Sequence, residues 1–190
     1  QQISCNANRH GFPFSCRIAP NTLVQIVSDV VQSLWENGID KVVILNGHGG
    51  NTGTLRMALR ELSHHRGLDG GPFVCMVEAR HDAGIIEHPS VHGGESEVSR
   101  MMHLKGDLVH TEEFHDQPFA RPVVKSLHSP GVFFVKPWHA FVPESAGGDT
   151  RKSSAEKGRR IIEQSAEHLA ELLVELSAAR MTKTFPYPES

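Results

Sequence analysis

The chain has 190 residues, of which 38% are hydrophobic, and its formal net charge at pH 7 is -3. That length predicts a single domain over residues 1–190 with a substantial core. The near-neutral charge leaves no dense basic stripe for nucleic-acid binding, and no apolar run approaches the roughly 20 residues of a membrane span. Neither nucleic acid nor a membrane is therefore an expected partner.

The numbers of cysteines and histidines indicate the cellular compartment and the kind of site to expect. Three cysteines show no metal-binding spacing, which predicts free thiols and a cytoplasmic protein. Thirteen histidines accompany one tyrosine and two tryptophans, which is more histidine than a core needs. Because histidine is the commonest metal ligand and a common general base, the excess indicates metal-binding or catalytic roles.

Hydrophobic periodicity predicts alternating helices and strands in the first half of the chain. Apolar residues spaced three and four apart indicate helices, and short apolar runs without alternation indicate strands covered on both faces. This order is typical of an α/β protein whose parallel strands are joined by right-handed crossovers. The predicted elements are an entry loop over residues 3–18, a helix over 23–35 capped by Asn21 or Thr22, a strand over 42–45, a helix from Thr52 to about His65, and a strand over 73–77.

The second half of the chain has a weaker pattern until its last helix. That helix has one apolar face and one charged face, which is typical of a helix packed on a core. The predicted elements are a loop over 82–95, a helix over 96–104 that starts near Glu95, a polar loop over 105–129 with an edge strand at 123–127, a short apolar run over 132–135, a functional loop over 137–150, and a helix from Ser154 to about Ala179.

The stretch VVILNGHGGN, residues 42–51, is the first candidate site. His48 follows the carboxyl end of the predicted strand, where open α/β sheets bind their ligands. Gly47, Gly49 and Gly50 would allow positive φ angles and the close approach of a ligand or metal. The alternative is a glycine-rich turn with a surface histidine, and Asn46 and Asn51 are expected to brace the loop.

A second candidate site lies in VHGGESEVS, residues 91–99. His92, Glu95 and Glu97 supply the imidazole and carboxylate groups that zinc, manganese or iron takes from a protein. Residues two apart do not share a helix face, so only one of the two glutamates is expected to point into a site. The remaining histidines are interpreted as surface or core residues, because none lies in a glycine-rich loop at a strand end.

Four segments together resemble the creatininase family, that is, creatinine amidohydrolase and its relatives. They are NGHGGN at 46–51, HGGESEVS at 92–99, GGDTRKSSAEKG at 147–158 and, more weakly, HGFPFS at 10–15. The resemblance implies a three-layer α/β/α fold with a mainly parallel sheet. It further implies a metal-dependent amidohydrolase that is often hexameric, with two divalent ions bridged by a carboxylate, so a homo-oligomer is expected.

The resemblance also implies roles for individual residues. His48 falls on a metal ligand of the family, and Glu97 on the carboxylate that relatives with N-G-H-G-G-N use, with Val98 in place of the usual Thr. Glu95 is the weaker candidate ligand, because it matches a variable position. His92 matches a histidine that lies beside the substrate and helps proton transfer. In creatinine amidohydrolase the segment reads N-G-H-Y-E-N, and its second ligand corresponds to Gly50 here.

The resemblance implies a further expectation about the start of the chain. The family's first segment, E-x-H followed by a bridging Asp, is not found before His10. We therefore expect an N-terminally truncated member that contributes His48 and Glu97 to an otherwise incomplete site. A non-catalytic remnant that binds a ligand or a partner subunit is the alternative function.

The expected reaction is hydrolysis of an amide-type C–N bond in a small molecule or short peptide, by a water that a metal activates. Gly49, Gly50, Trp138 and His139 are expected to line the substrate pocket, although core packing is as good an interpretation of Trp138. Gly50 argues against creatinine itself. Relatives with this glycine include formamide deformylases and the mycofactocin precursor peptidase. Asp149 and Arg151 are expected to form a structural pair that caps the last helix, or to lie at a subunit interface.

Overall fold

A computed structural model describes residues 17–78, 81–88 and 91–189 of the chain. The HGFPFS segment and all but the last two residues of the predicted entry loop lie outside the described residues. The chain forms two compact units. Residues 17–78 and 167–189 belong to the first unit, and residues 81–88 and 91–166 belong to the second unit.

The first unit is built on two parallel strands, as the sequence predicts. Strands β1 (Lys41–Asn46) and β2 (Phe73–Glu78) pair in a register that aligns Lys41 with Phe73 and Asn46 with Glu78. Because the pairing is parallel, both carboxyl ends lie at the same edge of this sheet. The register therefore places Asn46 and Glu78 side by side directly before the NGHGGN loop.

Two helices of the first unit flank these strands in the chain. Helix α1 (Pro20–Glu36) begins at a proline and has no side-chain cap, so the cap predicted at Asn21 or Thr22 is wrong. Proline at the first helical position has no N–H group that needs a partner. The helix ends before Gly38, whose φ of 84° is a left-handed conformation that glycine adopts without strain. Helix α2 (Thr52–Asp69) runs a few residues beyond its predicted end.

The first unit has a small apolar core. Its buried side chains come from both helices and from β2, namely Val31, Leu55, Ala58 and Val77. The ammonium group of Lys41 donates to the carbonyls of Leu176 and Ala179 at 2.7 and 2.6 Å. These bonds satisfy carbonyl groups that a helix end otherwise leaves without partners.

The second unit contains less regular structure. Its elements are α3 (Glu95–Lys105), β3 (Asp116–Gln117), the short helix α4 (Trp138–Phe141), β4 (Gly148–Asp149) and the first half of α5 (Ala155–Ala178). Strands β3 and β4 pair in an antiparallel arrangement that the sequence does not predict. Its buried apolar residues are Ile85, Val142 and Ile161.

The edge strand predicted at Val123–Leu127 is wrong. Residues Lys125–His128 form a 3-10 turn instead, and Val123 is 98% exposed. Valine favours strands chiefly by packing against neighbouring strands, and within the described residues none pairs with this segment. The apolar run over 132–135 likewise forms no strand, and Phe133 in it is 89% exposed.

Helix α5 is fixed at its start by α3. The Ser99 hydroxyl of α3 accepts a hydrogen bond from Ser154 N at 3.2 Å, and the Ser154 hydroxyl accepts one from Lys157 N at 3.2 Å. The predicted pair of Asp149 and Arg151 is confirmed, with guanidinium-to-carboxylate distances of 2.9 and 2.6 Å. Its predicted role as the helix cap is wrong, because the Ser154 hydroxyl caps α5.

The fold is α/β with a parallel sheet, as predicted. Among the described helices, none combines the length and the apolar character needed to cross a membrane.

Gly158 generates a test of the packing between α3 and α5. A Cβ atom at this position would overlap the carbonyl oxygen of Ser99. We expect Gly158→Ala to lower the free energy of unfolding by about 1–3 kcal/mol, because overpacking forces the two helices apart. Gly53→Ala is the matched control, since a Cβ there meets nothing within 4 Å. It should stabilise the protein by roughly 0.5–1 kcal/mol through helix propensity. Urea unfolding measures both, and equal effects would contradict the close packing.

Candidate active site

Asn46 organises the loop that carries His48. Its side chain is 3% exposed and donates to Glu78 Oε2 at 2.9 Å and to Thr52 Oγ1 at 3.1 Å. Its amide oxygen accepts a hydrogen bond from the backbone N–H of His48 at 3.2 Å. The Thr52 hydroxyl in turn donates to Glu78 Oε1 at 2.8 Å. These bonds confirm that Asn46 braces the loop.

His48 lies at the carboxyl end of β1, at the start of a 3-10 turn over Gly49–Asn51. Its Nδ1 atom accepts a hydrogen bond from Gly50 N at 3.0 Å. A nitrogen that accepts a hydrogen bond carries no proton, so the neutral ring holds its proton on Nε2. Metal binding through Nδ1 would replace the Gly50 bond, and binding through Nε2 would require the other tautomer.

The glycines around His48 do not have the predicted backbone role. None of Gly47, Gly49 and Gly50 has a positive φ angle. A Cβ at Gly47 or Gly49 would meet nothing within 4 Å. Gly49 and Gly50 are exposed. The predicted positive φ angles are therefore wrong for all three glycines, and at Gly47 and Gly49 no close contact requires glycine either.

His92 and Glu97 lie together in the second unit. His92 Nδ1 is 3.4 Å from Glu97 Oε2, which also accepts a hydrogen bond from Gly93 N at 2.9 Å. Gly93 has a φ of 65°, and a Cβ there would lie 2.7 Å from the Cβ of Ala146, so this glycine is required. The pair thus forms at the tight turn that precedes α3.

The Glu97 carboxyl is ionised across the physiological range. Its partial burial raises the pKa, but hydrogen bonds from His92 and Gly93 outweigh that effect, and the pKa falls to about 2. Within the described residues no hydrogen bond engages its other oxygen, Oε1. The arrangement orients the His92 ring through one carboxylate oxygen and leaves the second one available.

Trp138 lies beside the His92 ring. The two ring centroids are 6.3 Å apart in an edge-on arrangement, and the Trp138 indole N–H donates to Ser145 O at 3.4 Å. Backbone bonds hold the two loops together, because Gly147 N donates to His92 O at 2.8 Å and Val91 N donates to Gly147 O at 3.2 Å. His139 follows Trp138 in α4 and is exposed.

Glu95 has a different environment from Glu97. It is completely buried, and its Oε2 accepts hydrogen bonds from Glu87 N and His88 N, both at 2.9 Å. Its Oε1 is 2.6 Å from the ammonium of Lys157. Both oxygens are therefore engaged within the protein, whereas Glu97 keeps one oxygen available.

Two residues with a part in these sites were missed by the sequence analysis. Glu78 ends β2, and its position after a predicted strand was a usable signal. Lys157 lies in the segment GGDTRKSSAEKG, but no local pattern links it to Glu95, which is 62 residues away.

Glu97 and His48 each carry a group that can bind a divalent metal. An ionised carboxylate with one available oxygen and a neutral imidazole are the groups that zinc and manganese bind. His48 belongs to the first unit and Glu97 to the second. Among the described residues, no group of three His, Cys, Asp or Glu side chains could hold a metal ion.

Residues 1–173 match the family model of the creatininases, described as creatinine amidohydrolase. The chain belongs to the creatininase family. This confirms the resemblance carried by the NGHGGN, HGGESEVS and GGDTRKSSAEKG segments.

Curated relatives from the creatininase family have two different activities. The chain is 30% identical to the mycofactocin precursor peptide peptidase of Mycobacterium ulcerans over 153 residues, which is 79% of this chain and 51% of that protein. It is 27% identical to the creatinine amidohydrolase of Pseudomonas putida over 190 residues, covering 92% of this chain and 70% of the relative. The chain thus spans about half the length of the mycobacterial peptidase.

Solved creatininase structures share the fold. A Bacteroides fragilis protein provisionally assigned as creatinine amidohydrolase matches with a TM-score of 0.81 and 28% identity, covering 95% of this chain and 71% of that one. Two creatininase structures, one in a Zn-Zn form and one with Mn, each match with a TM-score of 0.63 and 24% identity over 88% of this chain and 68% of theirs. Those two show likeness of fold alone.

The buried Glu95 generates a stability test. Lys157→Met leaves the fully buried carboxylate without its cation, so we expect it to lower the free energy of unfolding by about 3–5 kcal/mol. Arg159→Met is the matched control on the same helix, because Arg159 pairs with Glu156 and Glu163 at the exposed surface. It should leave the free energy of unfolding nearly unchanged, because exposed ion pairs contribute little to stability. Urea unfolding compares them, and a loss below 1 kcal/mol for Lys157→Met would rule out an essential buried pair.

Proposed function

We propose that this chain is a metal-dependent amidohydrolase that cleaves an amide C–N bond in a small molecule or a short peptide. The observation that supports this most directly is the His92–Glu97 pair, a histidine oriented by an ionised carboxylate in a creatininase-family chain. Such a pair is a common means of preparing a histidine for proton transfer. The relatives support both kinds of substrate, since one acts on creatinine and another on a precursor peptide.

His92 is proposed to carry the proton. With its Nδ1 atom 3.4 Å from Glu97 Oε2, His92 has its Nε2 atom as the group that takes a proton from the attacking water and delivers it to the leaving nitrogen. Trp138 lies edge-on to this ring, with the two ring centroids 6.3 Å apart. Trp138 and His139 remain proposed pocket residues of the second unit, and Gly49 and Gly50 remain proposed pocket residues of the first.

Glu97 and His48 are each proposed as a metal donor. Glu97 would donate through Oε1 while Oε2 holds His92, and His48 would donate from the loop that Asn46 braces. When bound, a divalent metal lowers the pKa of a water molecule and polarises the amide carbonyl. Zinc or manganese is favoured because both bind carboxylate and imidazole groups. Glu95 is not proposed as a ligand, because both of its oxygens are engaged.

A non-catalytic role is the second candidate function. In that case the chain would bind a ligand or a partner subunit without hydrolysing it.

Hydrolysis assays separate the two functions. The protein is stripped with EDTA, reloaded with Zn²⁺ or Mn²⁺, and given creatinine, a formamidopyrimidine or a mycofactocin-precursor-type peptide. We expect turnover of at least one compound in the reloaded protein and none in the stripped protein, because the attacking water needs the metal. Bound metal with no hydrolysis of any of the three would favour the non-catalytic role.

Metal retention tests the proposed donors. We expect His48→Ala and Glu97→Gln each to weaken Zn²⁺ or Mn²⁺ binding by more than the roughly 10- to 100-fold typical of outer-shell changes, because each removes a direct donor. His128→Ala is the control, since His128 is an exposed histidine on a 3-10 turn. Isothermal titration with each metal measures the affinities. If Glu97→Gln keeps its metal but loses hydrolysis, Glu97 only orients His92.

A further inference from the structure

Glu95 is a buried charge for which the proposed chemistry has no direct use. Its side chain is 0% exposed, although it lies two residues from Glu97 at the start of α3. A buried carboxylate is costly unless it is paired and fully hydrogen-bonded. Three donors meet this requirement, which are the backbone N–H groups of Glu87 and His88 and the ammonium of Lys157.

These bonds join three separate segments of the second unit. Glu95 begins α3, Glu87 and His88 lie in the loop before His92, and Lys157 lies in the first turn of α5. Lys157 also bonds to the Glu87 carboxylate at 2.6 Å and to Lys152 O at 2.9 Å. The Glu95 carboxylate thus links Glu87 and His88 to the start of α3.

The same segment carries the His92–Glu97 pair. Glu97 lies in the α3 turn that Glu95 begins, and Gly93, whose N–H donates to Glu97, lies between His88 and Glu95 in the chain. Movement of residues 87 and 88 away from α3 would therefore displace His92 and Gly93 relative to Glu97. The distance of 3.4 Å between His92 Nδ1 and Glu97 Oε2 leaves little room for such movement.

We propose that Glu95 and Lys157 are positioning residues that hold the loop bearing His92 in place against the α3 turn bearing Glu97. Neither side chain touches the substrate, and both act through the 87–95 segment. This inference rests on the proposed function for its catalytic consequence, but the geometry it describes is independent of any reaction.

Glu95→Gln tests the proposal with little risk to folding. Glutamine keeps an oxygen that accepts from the Glu87 and His88 amides. Its NH₂ group would face the Lys157 ammonium, so the interaction with Lys157 is weakened. Lys157→Arg keeps the positive charge and is the conservative variant. Arg159→Met, on the exposed side of the same helix, is the matched control. Amide hydrogen exchange followed by NMR is the readout that does not depend on activity.

The expected results are specific to position. In Glu95→Gln, exchange should accelerate at the amides of Glu87, His88 and Gly93, and kcat on the best substrate of the three-compound panel should fall about 10- to 100-fold with little change in KM. Lys157→Arg should retain most of the protection and activity, and Arg159→Met should change neither.

Two outcomes would overturn the proposal. The first is fast exchange at Glu87 and His88 in Glu95→Gln while Gly93 stays protected. The bonds of Glu95 would then stabilise residues 87 and 88 without positioning His92. The second is unchanged kcat despite fast exchange at Gly93. If the wild-type protein hydrolyses none of the three compounds, the proposed function fails, and exchange at Gly93 alone then decides the positioning role.

Discussion

The ion pair of Glu95 and Lys157 is the contact on which the second unit depends. Removing a carboxylate from water costs several kcal/mol, and only a close cation with further hydrogen bonds offsets that cost. Glu95 has all of these, with Lys157 Nζ at 2.6 Å and two backbone amides at 2.9 Å. Because its partners come from different segments, satisfying this one charge also fixes the loop that leads to His92.

The first unit relies on a neutral polar group in a comparable position. Asn46 is nearly inaccessible to water and bonds to Glu78, Thr52 and the backbone of His48. Parallel pairing of β1 with β2 supplies the partner, since it aligns Asn46 with Glu78. In each unit, then, a buried polar side chain at the end of a regular element sets the position of a histidine.

Much of the fold could be predicted because the signals were local. Strand β1 contains a continuous apolar run over residues 42–45, and α5 has one apolar face. The failures also have a local cause. Val123 lies in a segment with strand-like composition, but β propensity needs a neighbouring strand, and the described residues provide none. The pairing of β3 with β4 joins segments more than thirty residues apart, as Asp116 with Asp149 shows.

The sequence by itself determined the creatininase family, the parallel strands and the histidines at the two loops, because residue types and short-range spacing encode these features. Only the tertiary structure decided between the two glutamates of HGGESEVS. Spacing shows that they face different ways, but it does not show which one turns inward. The Lys157 ammonium lies 62 positions along the chain from Glu95 and neutralises it in the interior, so Glu97 is the one left with an available oxygen beside His92.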